Sequence, residues 1–585
     1  MSGIGRRRFI AGVSGAAGVL AVGFGGAGSA QSRSPVLETE HGSGEKPSAR
    51  DAPAAELSTF FATAAVGNAL EVDSESDGDL WVTCWADDDN LYSVNGDGSG
   101  FGDGPRHDIA VNRISGDPKN GFTGEVLAVS DAVGAVWGDP ERYNRKPTGI
   151  VCVDGRLYLA IQDLRAGHED IAFNDAPAAS VSWSDDHGQT WHKTQQPMFT
   201  GGVFTTIFFI DFGRDSGDAA AALGADAARY VYAYGLDGNW RGSFTATVAD
   251  PFDLYLARAP KDAVEKRNLW EFFAGLDGDK PRWSKQLEER RAVLRDTRRQ
   301  YTTLRNYREN PHNLSVLAQG GVVYVKALNR YLYTSWTEYT FEFYEAPSPW
   351  GPWKLFLTKD FGGYPWFGRG PGCPGPKNGG YATTIPSKFI SPDGTSMWVQ
   401  SNWWVGSAGG DTAYSFNLRK LALTPFSAQS PTNQPDPRDN LAYSGASVTP
   451  IEKSAHYGHT EYYNDGDFTK SENSFDQENK DLDYWGFTWS KPYLLNQVVY
   501  TTGEMFDDGG WFAAGLRVQV RQNFQWIDAQ NTKVEPRYPY TSTAGEFKSY
   551  TFSFATLAGD GVRIVGKPGG SSYFTSIAEL EVYYR

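Results

Sequence analysis

The sequence feature that most constrains this chain is a repeat. Five apolar runs open on an aliphatic-aromatic pair: LWVTCWADD from Leu80, LYLAIQD from Leu157, VYAYGLD from Val231, LYTSWTE from Leu332 and MWVQSNWW from Met397. Four end in a carboxylate, Asp87 or Asp88, Asp163, Asp237 and Glu338, and the fifth in Trp403 and Trp404. A buried strand that recurs and stops at a functional side chain is the pattern of a β-propeller, whose innermost strands share one central channel. Carboxylates and tryptophans around one channel mouth point to a carbohydrate site.

Composition agrees with an all-β chain that handles sugars. Aromatic residues make up 14% of the 585 residues, with 19 Trp and 66 Gly, and the length implies two or more domains. The net charge of −16 argues against nucleic acid or an anionic membrane as partner, since both demand a basic face. Three cysteines, Cys84, Cys152 and Cys373, are too few for a disulfide scaffold; the first two lie inside apolar strands and read as buried thiols. No spacing of a zinc site occurs.

The N-terminus carries an address. Arg6, Arg7, Arg8, Phe9 and Ile10 form a twin-arginine export signal, followed by a short Gly/Ala-rich apolar run ending near Ala30. The mature protein is therefore expected outside the cytoplasm, with no membrane anchor after signal removal and a disordered lead-in over 31–60.

Blades are expected near 65–140, 146–200, 202–285, 310–360 and 379–425, giving a five-bladed propeller over 61–425. The second blade contains SWSDDHGQTW, in which Ser184, Asp186, Gly188, Thr190 and Trp191 keep the spacing of an Asp-box hairpin. There the Asp caps backbone N–H groups and the Gly takes φ > 0, so Asp186 is structural rather than catalytic. The charged stretch WSKQLEERRAVLRDTRRQYTTLRNYREN reads as a connecting helix, with Leu287, Arg291 and Leu294 on one face, or as an extended connector. One of its arginines reaching the channel is the sharper expectation.

A Pro/Asn/Asp linker over 426–439 ends the propeller. The last segment, 440–585, alternates in and out and closes on AELEV at Ala578 to Val582. With its NLA opening at Asn440, the DGD turn at Asp465 and the strand GVRI, it resembles the discoidin, or coagulation-factor five/eight type C, domain. That resemblance implies a galactose-binding-like jelly roll with a glycan site in its end loops. Trp485 and Trp511 are then candidate stacking platforms, Asp508 and Arg521 polar contacts, and Glu579 the place of a structural calcium.

The propeller phrases CWADDDNLY, GDGSGFG, LNRYLYTSWT, FEFYEAPSPWGPW, IPSKFISPDGTSMWV and AYSFNLRKLAL, between about Asn68 and Leu423, resemble an actinobacterial family assigned endo-D-arabinanase activity, glycoside hydrolase family 183. The resemblance implies hydrolysis of α-D-arabinofuranosyl chains of mycobacterial arabinogalactan and lipoarabinomannan by carboxylates, with no cofactor required. It points to Asp88 and Asp87, then Asp97 or Asp103. The extra Asp in DDD leaves the register of Asp87 against Asp88 open. Asp163, Asp237 and Glu338 complete the candidate acids, and Trp85, Trp336, Trp403 and Trp404 the candidate subsite floors. A sialidase-like exo-glycosidase and a non-catalytic cell-surface lectin are the competing readings, the first favoured by the Asp-box alone.

Overall fold

A computed structural model describes residues 56–67, 70–165, 175–238, 251–300, 314–337, 340–361, 380–403, 413–425, 435–443, 448–522 and 525–585. The export signal, Cys373, Glu338 and Trp404 lie outside the described residues. The described chain is nearly all β: its one α-helix, Ala219–Leu223, is five residues long. No helix among the described residues is long and apolar enough to cross a membrane.

Residues 61–425 form a succession of antiparallel meanders. The first runs Asp77–Trp85, Leu91–Gly100, His107–Asp117 and Gly121–Val129 in sheet order, and the second Tyr143–Val153, Arg156–Arg165, Ala178–Ser184 and Phe199–Thr200. The third starts at Thr206–Asp211 and the fourth at Gly321–Val325; a parallel pairing of Ile210 with Val322 joins these two strands. The fifth contains Tyr381–Thr384, Ser396–Asn402 and Arg419–Pro425, and is completed by the early strand Phe61–Val66, which pairs with Arg419–Pro425. Joining the first strand to the last module closes the ring non-covalently, and it leaves the propeller-like sheet without a free seam. The fifth unit thus needs residues 61–66 as well as the expected 379–425.

First and second strands of the modules are largely buried on both faces because neighbouring modules cover them. Leu157, Leu159 and Ile161 pack toward the first module, while Tyr158 and Ala160 face the third. The Asp-box forms as expected. The Asp186 carboxylate accepts from Thr190 N (2.8 Å) and Thr190 Oγ1 (2.6 Å), Gly188 takes φ +83°, and Trp191 Nε1 donates to Gly188 O. The charged connector carries no long helix among its described residues: Leu287–Glu289 is a 3-10 turn and Ala292–Arg295 a strand paired with Asp253–Pro260. The shared helical face of Leu287, Arg291 and Leu294 is therefore replaced by extended backbone, with Leu294 buried and Arg291 exposed.

Residues 448–585 form a second β unit. Its sheet order is Val448–Glu452, Asp483–Thr501, Ser549–Pro568, Phe512–Gln522 and Gln525–Asp528, with Glu579–Tyr583 on Asp483–Thr501 and Lys533–Glu535 on Ser549–Pro568. The two long strands shift register at Thr488/Tyr493 and Leu495/Gln497, so each bends around one core of Trp485, Phe487, Val498, Phe552, Ile564 and Val582.

Candidate functional site

The strand order sorts the candidate acids onto two ends of the ring. LWVTCWADD is a first, innermost strand, whereas the runs from Leu157, Val231, Leu332 and Met397 are second strands running the opposite way. Asp87 and Asp88 therefore lie at the end opposite Asp163, Asp237 and Trp403. The expectation that all five runs are innermost strands ending at one mouth is corrected here. First and second strands are equally buried, and an apolar run carries no sign of its direction.

At the end where the second strands finish, the first strand begins, and it begins with Asp79. Gly78 (φ +138°) and Leu80 (φ +67°) flank it, and the pairing with Leu91–Gly100 shifts register on both sides of it. This bulge aims Asp79 inward. The residue is 6% exposed. Oδ2 accepts from Tyr414 OH (2.7 Å) and Tyr381 OH (3.0 Å), both from the fifth module, while Oδ1 is buried with no hydrogen-bond partner among the described residues. Burial raises its pKa, and the negative charge of Asp97 adds to this; Lys146 and the two tyrosine hydroxyls oppose it without reversing it.

Asp97 stands on the neighbouring strand with φ +39° and its side chain 36% exposed. The Lys146 ammonium contacts Asp97 Oδ1 and donates to Asp108 O at 3.4 Å. Arg106 caps the Asp97 carbonyl and pairs with Asp77 at 3.3 Å. One buried carboxyl whose pKa burial raises and one partly exposed carboxylate paired with an ammonium thus share the end of the ring at which the second strands finish. That difference in environment separates a proton donor from a base or nucleophile.

Of the other candidate acids at this end, Asp163 and Asp237 are engaged by backbone N–H groups of neighbouring segments. Asp163 is fully buried and accepts from Trp137 N and Gly138 N (2.8 Å); burial raises its pKa and these bonds oppose the rise. Asp237 accepts from Phe204 N (2.9 Å) and pairs with Arg290 at 2.7 Å. Arg290 brings the charged connector to Asp237 at this end. Asp103 is exposed in the bend after Gly100.

At the opposite end, Asp88 caps its own turn, accepting from Asn90 N, Asn90 Nδ2 (2.9 Å) and Tyr92 OH (2.8 Å). Asp87 meets His187 Nε2 at 2.7 Å, which ties the first hairpin to the Asp-box of the second module. Asp87, Asp88 and His187 each present a ligand atom within 4.8 Å of the others, a spacing that could hold a metal ion. Asp88, however, already serves three donors.

Two of the three described candidate floors, Trp336 and Trp403, are packing residues. Trp336 is 2% exposed with Nε1 donating to Gln319 O, and Trp403 is 3% exposed beside the Arg419 guanidinium. Trp85 is half-buried and donates to Asp89 at 2.9 Å on the Asp87 side. In the C-terminal unit Trp485 is a core residue, fully buried with Nε1 on Thr575 Oγ1, so it is no platform. The platform role that the discoidin resemblance implied for Trp485 fails because its ring lies on the core face of its strand. Trp511 is half-buried against Gly569, and Asp508 accepts from Ser572 Oγ (2.6 Å). Arg521 turns away from the loops, pairing with Asp560 (2.8 Å) and donating to Ala62 O of the ring (2.6 Å).

Glu579 is 1% exposed, accepts from Gly466 N at 3.3 Å through Oε2, and leaves Oε1 buried without a hydrogen-bond partner among the described residues. Burial, with Asp465, Glu581 and Asp467 nearby, pushes its pKa up to about 7. Lys470 bridges Asp465 and Asp467, placing a cation where the acidic turn gathers charge. An orphaned buried carboxylate oxygen beside an acidic turn fits a hard, oxygen-loving cation. The exposed aromatics Tyr457, Phe468, Tyr540 and Phe547 lie on the loops of this unit.

No family model matches the sequence, and no curated protein matches it. Among solved structures the chain is similar to a GH43_1 enzyme from Xanthomonas citri complexed with xylotriose, at 13% identity and a TM-score of 0.34, over 62% of this chain and 90% of that one. It is also similar to a putative hydrolase from Bacteroides ovatus, at 10% identity and a TM-score of 0.32, over 60% and 86%. The C-terminal part is similar to the family 32 carbohydrate-binding module of Clostridium perfringens NanJ in complex with galactose, at 15% identity and a TM-score of 0.19, over 24% and 94%. The fold described above stands on its own strand order and needs none of these.

Proposed function

We propose that the chain is an exported glycoside hydrolase: a five-bladed propeller carrying the active site, followed by a carbohydrate-binding β-sandwich. The observation that carries this reading is the pairing of Asp79, buried with an unpartnered oxygen and a raised pKa, with Asp97, accessible and paired to Lys146. Hydrolysis of a glycoside needs a carboxylic acid to protonate the leaving oxygen and a carboxylate to activate water or attack the anomeric carbon. Asp79 suits the first role and Asp97 the second. Asp87 and Asp88, at the other end of the ring, are then turn residues. Five inner strands, beginning at Asp77, Tyr143, Thr206, Gly321 and Tyr381, support the blade count.

The substrate reading is an α-D-arabinofuranosyl polymer cut internally, supported by the phrases from CWADDDNLY to AYSFNLRKLAL. Asp97 lies within the phrase GDGSGFG, and Tyr414 opens AYSFNLRKLAL at its second position. In the sandwich, Glu579 with Asp465 and Asp467 would hold a structural calcium that fixes the loop end. No cofactor is invoked for turnover.

The test is product analysis after incubation of the mature protein with mycobacterial arabinogalactan, a sialoside and a linear α-L-arabinan. D-arabino-oligosaccharides are the expected product. Intact polymers retained by the protein in a pull-down would replace this reading with that of a lectin, and released sialic acid with that of a sialidase.

A further inference from the structure

Lys146 sits between the two carboxyl groups assigned above, yet it belongs to a different module and can neither receive a leaving group nor make a covalent link to sugar while buried. Its side chain is 2% exposed. The aliphatic stem passes Gly96, the residue that pairs with Asp79 across the hairpin; a Cβ at Gly96 would stand 2.7 Å from Asp79 Oδ1 and 3.3 Å from Lys146 Cδ. The absent side chain is what lets the stem and the carboxyl approach. The ammonium then meets Asp97 Oδ1 and Asp108 O.

We propose that Lys146 is a positioning residue of this site: from the second module it fixes the Asp97 carboxylate and holds a positive charge beside the Asp79 carboxyl. This rests on the assignment of Asp79 and Asp97 as the acting pair. The other groups around it are accounted for. Asp108 is engaged by Arg145 (2.6 Å) and Ser130, Asp77 by Arg106, and the fifth module contributes the neutral hydroxyls of Tyr381 and Tyr414. The fourth module contributes the Gln319 amide, which donates to Pro147 O at 3.1 Å. Of the cations named, Lys146 is the one whose charge acts on Asp79.

Removing this charge acts on the Asp79 carboxyl. Asp79 loses the cation that opposes its protonation, so the alkaline limb of the activity profile moves up. That limb should shift to higher pH by about one unit in Lys146→Met. Turnover at the native optimum should fall about tenfold as Asp97 loses the contact that fixes it, with Lys146→Arg restoring most of the shift. A residue that only supports the fold would lower activity at every pH and leave the alkaline limb in place.

The experiment that decides is a carboxyl 13C NMR titration of the full chain labelled at aspartate Cγ, with Asp79→Asn assigning the Asp79 signal, alongside the pH profile on arabinogalactan. Upward movement of the Asp79 midpoint in Lys146→Met, reversed in Lys146→Arg, is expected; an unmoved midpoint in a folded Lys146→Met protein overturns the role. The titration reads Lys146 even if no polymer is cleaved, and that result would reject the hydrolase reading instead.

Discussion

Asp79 and Gly96 are register partners across the first hairpin, and the charge of Asp97, the residue after Gly96, adds to burial in raising the pKa of the Asp79 carboxyl. Asp79→Asn keeps an oxygen for the hydroxyls of Tyr381 and Tyr414 but carries no proton to give. Turnover should fall about 10³-fold, as on loss of a general acid. The folded-state pKa of Asp79 is raised, so the stability this group lends is present below its unfolded value and is lost as pH climbs through the folded one. The amide variant should therefore melt about 2 °C higher at pH 8, with the difference closing toward pH 4. Thermal melts across pH, run beside the kinetics, check both halves; a lower melting temperature at pH 8 would contradict the burial argument.

Asp88→Ala separates the two ends of the ring. The three bonds that Asp88 accepts from Asn90 and Tyr92 hold the turn between the first two strands. Their loss should cost about 1 kcal/mol, a modest figure because the group is partly exposed. Activity should stay within about threefold of the native protein. Abolished turnover in a folded Asp88→Ala protein would return the chemistry to the Asp87 and Asp88 end.

Much of the ring is legible in the sequence because burial on both faces leaves a plain trace: Leu157 to Asp163 and Val231 to Asp237 read as strands that stop at an acid. Which strand of each module they are is not legible, since Trp81 in a first strand and Tyr158 in a second are equally buried. That ambiguity favours the end of LWVTCWADD, whereas the buried Asp79 stands near the start of its strand. The local signal is the Gly78-Asp79 pair opening an apolar run, a glycine-strained entry to a buried strand. Lys146 gives no sequence signal, because its role depends on contact with another module. In the C-terminal unit the burial of Trp485 is not legible, since a tryptophan in an alternating strand reads the same on either face.

Calcium should act on the sandwich through Glu579. Its folded pKa of about 7 exceeds the unfolded value, so its contribution is complete below the ordinary glutamate range and disappears as pH rises through about 7. A bound divalent cation would stabilise the ionised form and offset that loss. Added calcium is expected to raise the melting temperature at pH 8 by several degrees and to change it little at pH 5. Glu579→Gln should abolish the calcium response while melting no lower than the native protein in chelator. Equal calcium effects in the native protein and in the Glu579→Gln variant would remove Glu579 from the site.

Arg521 links the two units, and its loss should uncouple them. Its guanidinium pairs with Asp560, 3% exposed, and reaches Ala62 O on the strand that closes the ring. A second contact, Lys359 with Glu452 at 3.4 Å, lies on the same interface. Arg521→Ala would strand the buried Asp560 carboxylate, a loss of about 2 kcal/mol after allowance for the partial exposure of the arginine. It would also release the early strand from the sandwich. Calorimetry of Arg521→Ala, and of the double variant with Lys359→Ala, should show the sandwich and the ring melting as separate transitions, with hydrolysis of a short soluble arabinoside unchanged and hydrolysis of the insoluble polymer reduced. A single transition at the native temperature would mean that other contacts hold the units together and that Arg521 is a surface residue of the sandwich alone.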